Sequence, residues 1–404
     1  MRDIFLILTL SIFAIIANSC QTLEQKAQKI HNKVLTLDSH CDTPLKLVDG
    51  FDLNTAHTNK DNGSKYDFPR MEKGGLDASF FAVFIGQGPR DSAGWKKAYK
   101  KSDEIFDAVY KSVEKYPEVA EIAVNPEDAY RLEKQGKRAI YLGIENGYAL
   151  GRKLENVDYF YKRGTRYITL VHTRNNDIAD SSTDANGPEF QGLSEFGEQV
   201  VKRMNELGIM VDVSHASDSA FYDVLKVSKA PLIASHSCAR ALCDNPRNLT
   251  DDMLKALAKN GGVIQMCILS EYVKELPSYP ERDSARTEFR ARHTDWNNYS
   301  DEQRKQGIKE WYQLDVDFPP NLANVQDVVD HIDHIVKVAG IDHVGIGTDF
   351  DGGGGVEGCY DVSEMPNITI ELVKRGYTEE QIAKIWSGNF MRVFREVENL
   401  AKSI

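Results

Sequence analysis

Residues 209–215 are IMVDVSH, a short apolar run that ends in a histidine. Runs of this kind recur along the chain and are near-continuous rather than alternating, which is typical of parallel strands buried on both faces. The other seven are VLTLDSH (34–40), ASFFAVFIG (78–86), AIYLGIENG (139–147), YITLVH (167–172), APLIASHS (230–237), GGVIQMCI (261–268) and HVGIGTDFDG (343–352). Amphipathic helical patterns fill the gaps between them. Eight such strands predict an α/β fold, a (β/α)8 TIM-like barrel.

The predicted barrel occupies residues 34–404 of the 404-residue chain. Residues 271–320 are charged and aromatic, and this segment is too long for an ordinary strand-to-helix connection. It predicts a helical insertion before the last strand, which could be a lid, a homodimer contact or a passive surface feature. Near the C-terminus, Thr378 followed by Gln381 predicts a capped closing helix over residues 378–401.

The first twenty residues have the pattern of an export signal. Arg2 precedes an apolar run that is too short to span a bilayer comfortably, and small residues follow it. We expect a signal peptide over residues 1–19, lipidation of Cys20 and a polar, lipid-anchored tether over residues 20–33. The expected location is the bacterial cell envelope, on the periplasmic or outer-surface side. A plain signal peptide or a short membrane anchor is the alternative.

The charge of the chain excludes one class of partner. The net charge is −12 and the pI is near 5.4. A nucleic-acid-binding protein needs a basic face that releases counterions, and no long basic run is present. We therefore expect no nucleic-acid partner, and contact with a membrane only through the lipid anchor.

Most of the predicted strands end in a side chain that can titrate or bind a metal. In barrel enzymes the carboxyl ends of the strands form the active site, so these side chains should converge on one face. Any one of these histidines taken alone would more often be a surface residue or a hydrogen-bonded core residue. The recurrence of such side chains at the ends of most strands is hard to explain by structure alone. The set is His40, Asp42, Glu145, His172, His215, His236, Asp349 and Asp351.

Imidazole and carboxylate ligands suit Zn²⁺, and Mn²⁺, Fe²⁺ or Co²⁺ also fit. His40 and Asp42 lie at positions i and i+2, so they point to one side while Cys41 faces away. A single ion would leave ligands over. A bridging Glu145 uses them all, with His40, Asp42 and Glu145 on one ion and Glu145, His215 and His236 on the other. A water between two such ions becomes a hydroxide nucleophile near neutral pH.

Six motifs, in order, resemble those of the renal (membrane) dipeptidase family of zinc peptidases. The similarity spans the chain after the tether, except for the insertion. It implies a barrel with two zinc ions that hydrolyses dipeptides, including those with a D-residue at the second position. The motifs are His40-Cys41-Asp42-Thr43-Pro44, Gly143-Ile144-Glu145-Asn146-Gly147, Val211-Asp212-Val213-Ser214-His215, Ser235-His236-Ser237, Pro246-Arg247-Asn248-Leu249 and Gly347-Thr348-Asp349-Phe350-Asp351-Gly352.

The resemblance also implies a role for each site residue. His172 matches the histidine that contacts the scissile carbonyl and stabilises the oxyanion, with a third ligand for one zinc as the alternative. Arg247 matches the residue that pairs with the free carboxylate of the substrate, and a surface salt bridge is its alternative. Asp349 matches the proton shuttle, for which Asp351 is the local competitor. The metal ligands it implies are His40, Asp42, Glu145, His215 and His236.

The chain departs from the family pattern at the end of the seventh strand. The family commonly has an Asn-Phe-Tyr-like sequence there, whereas this chain has Cys267-Ile268-Leu269. The substrate pocket is therefore less well defined than the metal site. Two other functions stay open: a related barrel hydrolase that acts on N-acyl amino acids, lactones or phosphoesters, and a non-catalytic envelope lipoprotein that binds a ligand.

Overall fold

The computed structural model describes residues 22–58, 64–294 and 299–403, so the predicted signal peptide and Cys20 lie outside the described residues. Eight parallel strands form a nearly closed barrel in the order β1-β2-β4-β5-β6-β7-β8-β9, which confirms the predicted fold. The ninth, β3, is a short extra strand. The strands are β1 (Leu37–Cys41), β2 (Ala78–Phe84), β3 (Ala120–Ile122), β4 (Arg138–Glu145), β5 (Thr165–Thr169), β6 (Met210–Asp212), β7 (Ile233–Ser237), β8 (Val263–Met266) and β9 (Val344–Ile346).

The barrel closes through the segment that follows β9. The backbone N–H of Asp349 donates to the His40 carbonyl at 3.0 Å, and that of Asp42 donates to the Phe350 carbonyl at 2.8 Å. Cys41 and Phe350 accordingly form a parallel bridge. The two ends of the sheet are therefore joined beside His40, Asp42 and Asp349.

The helices surround the barrel, and many begin at a side-chain cap. Ser194 accepts from the N–H of Gly197, and Thr250 accepts from that of Met253. The helices are α1 (Leu23–His31), α2 (Pro44–Val48), α3 (Phe68–Lys73), α4 (Ser92–Glu114), α5 (Pro126–Glu133), α6 (Glu155–Lys162), α7 (Glu195–Leu207), α8 (Asp218–Val227), α9 (Asp251–Lys259), α10 (Ser270–Val273), α11 (Pro280–Arg292), α12 (Asp301–Asp317), α13 (Val325–Ala339), α14 (Pro366–Lys374), α15 (Glu379–Ala383) and α16 (Asn389–Ala401).

Three details differ from the sequence prediction or refine it. Leu23–His31 is a helix rather than a tether, because Thr22 and Gln25 form a capping box and one face, which includes Ile30, packs against α14. The tether prediction therefore does not hold over these residues. The short strand β3 was not predicted. It pairs with the first residues of β4, and β5 pairs with the last residues of β4. The capping box of Thr378 with Gln381 is present, but a π-helical turn, Lys384–Gly388, separates α15 from α16.

The insertion is helical, as predicted, and consists of α10, α11 and α12. Arg282 of α11 pairs with Asp315 of α12 at 2.8 Å, and Phe289 packs on Trp311 with ring centroids 5.2 Å apart. These contacts hold α11 and α12 together as a hairpin. No described helix is both long enough and apolar enough to cross a membrane.

An aromatic cluster fills the amino-terminal half of the barrel. Phe80 stacks on Tyr141 and Tyr167, with ring centroids 4.7 and 5.3 Å apart, and meets the edge of Phe390 from α16 at 5.2 Å. All four side chains are fully buried. The closing helix therefore packs below this aromatic layer, and the opposite end of the barrel holds the polar residues.

Candidate metal centre and substrate pocket

The five predicted metal ligands converge at the carboxyl ends of the strands. His40 and His236 lie near the ends of β1 and β7, and Glu145 ends β4, while Asp42 directly follows β1 and His215 lies three residues beyond β6. All five side chains are buried. Strands far apart in sequence thus bring three imidazoles and two carboxylates to one site.

Glu145 lies at the centre of the cluster, and its two carboxylate oxygens face different partners. Oε2 lies 3.5 Å from Nε2 of His40, whose Nε2 is also 3.6 Å from Oδ2 of Asp42. Oε1 lies 3.1 Å from Nε2 of His215 and 3.4 Å from Nε2 of His236. This division is the geometry that a carboxylate needs in order to bridge two cations.

The donor set fits metal ions for a second reason. Nε2 of His40 and Oδ1 of Asp42 are buried polar atoms without a hydrogen-bond partner in the described part of the chain. Nε2 of His215 and Nε2 of His236 face each other at 2.9 Å. Buried polar atoms are normally satisfied, so a cluster of orphaned lone pairs indicates an ion. Cys41 faces away, with Sγ 3.7 Å from the hydroxyl of Ser79.

Two buried polar groups behind the ligands orient the imidazole rings. The Tyr167 hydroxyl lies 2.8 Å from Nδ1 of His40. Nδ1 of His236 lies 2.8 Å from the Ser235 hydroxyl, which donates to Asp212 at 2.5 Å. If each Nδ1 carries the proton, each Nε2 lone pair is directed to the site, as metal-binding histidines require.

Sequence reasoning missed these supporting residues. Tyr167, Ser235 and Asp212 lie within strand runs, and a hydroxyl in such a run looks like ordinary core. Gly143 carries the one usable signal, because a Cβ there would lie 2.2 Å from the Tyr167 ring. Gly143, two residues before Glu145, therefore makes room for the tyrosine that orients His40.

The predicted oxyanion residue, His172, lies at the open side of the cluster. Its Nε2 is 3.6 Å from Oε1 of Glu145, farther than that of His215, and its side chain is 19% exposed. Phe84 packs against its ring at 4.7 Å. Glu145, His172 and His215 also form a group compact enough to hold an ion, so the alternative of a third ligand stays open.

The two competing aspartates point in different directions. Asp349 forms a compact group with His40 and Asp42, and Sγ of Cys267 lies 3.9 Å from its Oδ2. Asp351 instead accepts hydrogen bonds from the Thr43 hydroxyl at 2.8 Å and the Lys65 N–H at 2.8 Å. The geometry therefore places Asp349 at the candidate reaction centre and gives Asp351 a structural role.

Arg247 lies beside the cluster and is only 3% exposed, so the alternative of a surface salt bridge does not hold. Its Nη2 donates to the His236 carbonyl at 3.2 Å, and its Nε is buried without a described partner. A buried guanidinium without a carboxylate partner is costly. Its charge is therefore available to an anionic group in the pocket.

The electrostatics of the cluster favour neutral His215 and His236 around an ionised Glu145. Against the effect of burial, Tyr167, Glu145 and Asp42 raise the pKa of His40 well above its usual value. Burial lowers the pKa of His236 to about 3, and burial together with the Arg247 charge lowers that of His215 well below its usual range. Burial opposes ionisation of Glu145, but His40 and His172 lower its pKa well below its usual range. Burial, Cys267 and Asp42 raise the pKa of Asp349 well above its usual value.

The chain also adopts strained backbone conformations at the site. His215 and Asp349 have φ values of 67° and 60°, and Asn146, next to Glu145, has a φ of 77°. Left-handed conformations are uncommon for residues other than glycine and cluster at functional sites. Each of these residues lies where the chain leaves a strand and turns across the barrel mouth.

Comparison with known proteins identifies similar chains. Residues 24–404 match the family model described as membrane dipeptidase, peptidase family M19. Dipeptidase 3 from Mus musculus is 32% identical over 384 residues, which cover 94% of this chain and 67% of that protein. Dipeptidase tcpJ from Claviceps purpurea is 32% identical over 349 residues, which cover 85% of this chain and 72% of that protein.

Solved structures share the fold. The probable dipeptidase PvdM from Pseudomonas aeruginosa is 33% identical and superposes with a TM-score of 0.80, covering 94% of this chain and 99% of that one. A metallopeptidase from Rhodobacter sphaeroides, solved with a phosphinate mimic of L-Ala-D-Ala, is 22% identical with a TM-score of 0.72, covering 90% and 99%. At that identity the second likeness concerns the fold alone.

Proposed function

The chain belongs to the membrane dipeptidase family of metallopeptidases, and we propose that it hydrolyses dipeptides at a site that holds two zinc ions. One observation carries the proposal: the two oxygens of Glu145 face His40 on one side and His215 with His236 on the other. Zinc held by these residues would polarise the scissile carbonyl and activate a water molecule as the nucleophile. The remaining steps fall to side chains of this chain.

His172 is suited to stabilise the charge that develops on the carbonyl oxygen. It is the most exposed of the clustered histidines, and its Nε2 faces the same space as Glu145 Oε1. Burial lowers its pKa, so the ring is neutral at neutral pH and acts as a hydrogen-bond donor. A donor directed at a developing oxyanion contributes selectively to the transition state.

Arg247 is suited to bind the free carboxylate of the substrate. Its guanidinium is buried and has no carboxylate partner among the described residues. A planar guanidinium recognises a carboxylate through paired hydrogen bonds. This arrangement restricts the site to short peptides with a free C-terminus.

Asp349 is suited to carry the proton from the nucleophile to the leaving amine. It lies within the group formed with His40 and Asp42, and burial raises its pKa, which favours its protonated form. A carboxyl that accepts a proton in one step and donates it in the next is an ordinary acid–base catalyst.

The test is a dipeptide assay on purified protein with two equivalents of zinc. We expect turnover of L,L-dipeptides and of L,D-dipeptides, loss of activity with a chelator, and recovery when zinc is restored. Glu145→Ala and His215→Ala should lose bound metal. The proposal fails if the zinc-loaded protein leaves a broad dipeptide panel intact.

The rival functions predict different results. A related hydrolase acting on esters or lactones without a carboxylate would be insensitive to Arg247→Met, whereas dipeptide hydrolysis should show a strong rise in KM. A ligand-binding lipoprotein would bind peptides without zinc-dependent turnover. The buried Asp349 beside the metal ligands favours catalysis, because a simple binding site has no need of a proton shuttle.

We also propose that the protein is exported and anchored through a lipid on Cys20. Because Thr22 caps α1, only two peptide units separate it from Cys20, about 7 Å of extended chain. A lipidated protein would therefore be held close to the bilayer. Wild-type protein should fractionate with membranes and incorporate labelled fatty acid, whereas Cys20→Ala should do neither; soluble wild-type protein would refute the proposal.

A further inference from the structure

Tyr272 lies at the start of the insertion, in the short helix α10 that follows β8. The guanidinium of Arg247 lies over its ring, 5.2 Å from the ring centroid. Asn248, the next residue in the chain, donates its side-chain N–H to the Tyr272 carbonyl at 2.8 Å and to the Cys243 carbonyl at 2.9 Å. Two consecutive residues of one motif therefore hold Tyr272, one through its ring and the other through its backbone.

The ring, rather than the hydroxyl, makes the contact with Arg247. No hydrogen bond of the Tyr272 hydroxyl is found within the described part of the chain. Burial raises the pKa of Tyr272 to about 12, so the phenol is neutral at working pH. A neutral ring presents the same face to a cation whether or not it carries a hydroxyl.

Arg247 needs such support because little else fixes it. Within the described part of the chain, the Arg247 side chain donates one hydrogen bond, from Nη2 to the His236 carbonyl. Its Nε is buried and has no hydrogen-bond partner there. A long, flexible side chain with one hydrogen bond loses much of its rotamer freedom when it engages a ligand. A ring against one face of the guanidinium limits that loss before the ligand arrives.

We propose that Tyr272 is a positioning residue that holds the Arg247 guanidinium in place for the C-terminal carboxylate of a peptide substrate. The inference rests on the proposed function and deepens it. The first turn of the insertion, α10, then contributes to the selection of substrates with a free C-terminal carboxylate. This contribution is independent of any role of the α11–α12 hairpin. An aromatic ring thus reaches the pocket from Tyr272, although Cys267-Ile268-Leu269 lacks one.

The decisive comparison is between Tyr272→Leu, which removes the ring, and Tyr272→Phe, which removes only the hydroxyl. A desolvated cation–π contact corresponds to a change in binding of about tenfold or more. We expect Tyr272→Leu to raise KM for a dipeptide about tenfold with kcat within about threefold, and Tyr272→Phe to stay within about twofold of wild type. Tyr222→Leu, at an exposed position, is the matched control.

The same dipeptide with a C-terminal amide separates positioning from general damage. Because the amide lacks the charge that Arg247 binds, its KM should change little in Tyr272→Leu. Bound zinc and the thermal unfolding temperature establish that each variant is folded. If Tyr272→Leu does not fold, Tyr272→Met, which also lacks a ring, takes its place.

Three results would overturn the inference. The first is an unchanged KM in the variant without the ring. The second is an equal loss in Tyr272→Phe, which would assign the effect to the hydroxyl. The third is a crystal structure of the ringless variant with the guanidinium in its original position, a readout that does not depend on turnover. Failure of wild-type protein to hydrolyse any dipeptide would instead refute the proposed function.

Discussion

The hydroxyl of Tyr167 lies 2.8 Å from Nδ1 of His40, on the side of the imidazole away from Glu145. This hydrogen bond joins the aromatic layer of the barrel to the metal site, because the same tyrosine ring stacks on Phe80. The orientation of a metal ligand therefore depends on core packing.

Tyr167→Phe should weaken metal binding while preserving the fold. Loss of a supporting hydrogen bond to a metal-binding histidine typically lowers affinity by about 10–100-fold. Competition for zinc with a chromophoric chelator measures the change. Tyr141→Phe is the control, because its hydroxyl is bonded to Asn125 and Ala129, away from the ligands. Equal affinities in the two variants would contradict the prediction.

Gly143→Ala should destabilise the protein by overpacking. Its Cβ would lie 2.2 Å from the Tyr167 ring, and forcing extra volume into a packed core costs about 1–3 kcal/mol. Urea unfolding of metal-free protein measures the free energy of unfolding. Gly86→Ala is the matched control, because nothing lies within 4 Å of its added Cβ. A variant as stable as this control would show that the ring has room to move.

Asp349→Asn and Asp351→Asn should separate catalysis from stability. Loss of a general acid–base residue lowers kcat by about 10²–10⁴-fold, so we expect this in Asp349→Asn with zinc retained. Asp351→Asn should instead lower the free energy of unfolding by about 1–3 kcal/mol, because its carboxylate accepts from Thr43 and Lys65. Steady-state kinetics and urea unfolding on both variants measure the two effects. The opposite pattern would assign the shuttle to Asp351.

His31 should make stability depend on pH. It is buried between the Thr369 hydroxyl and the Gly74 carbonyl, and burial lowers its pKa. Because the pKa of His31 is lower in the folded state, the unfolded chain binds more protons as the pH falls below about 6.5. The free energy of unfolding therefore decreases with falling pH in that range, by at most about 1.4 kcal/mol per pH unit from this residue.

His31→Gln removes that titration, so its stability deficit relative to wild type should shrink between pH 7.5 and pH 5. Urea unfolding of the metal-free proteins across this range measures the difference. Subtraction of the two curves cancels the contributions of the histidines at the metal site. A deficit that stays constant with pH would show that His31 does not titrate differently on folding.

The sequence was sufficient to predict the barrel and the converging residues. Near-continuous apolar runs identify buried parallel strands, and a polar residue at the end of several such runs is hard to explain by packing. The distance between Glu145 and His236 in the chain is irrelevant, because all the strands of a parallel barrel bring their carboxyl ends to the same end of the barrel. Those predictions depend on periodicity and topology, which a single sequence contains.

The supporting interactions could not be predicted, because they depend on side-chain directions across the barrel. Tyr167 and Asp212 are indistinguishable in the sequence from other residues of a strand. The helix Leu23–His31 was missed because its mean polarity is that of a tether, and only its docking on α14 explains its buried face. Tyr272 was missed because it lies just beyond the strand end, at the start of an insertion that was treated as a unit.

The left-handed backbone conformation at His215 and Asp349 implies a trade-off between stability and activity in this enzyme. Such conformations cost non-glycine residues about 1–3 kcal/mol each, and glycine would relieve that cost. Glycine would also remove a predicted zinc ligand and the predicted proton shuttle. Selection for thermostability alone would therefore tend to erase the active site, and directed evolution for stability needs a simultaneous screen for turnover.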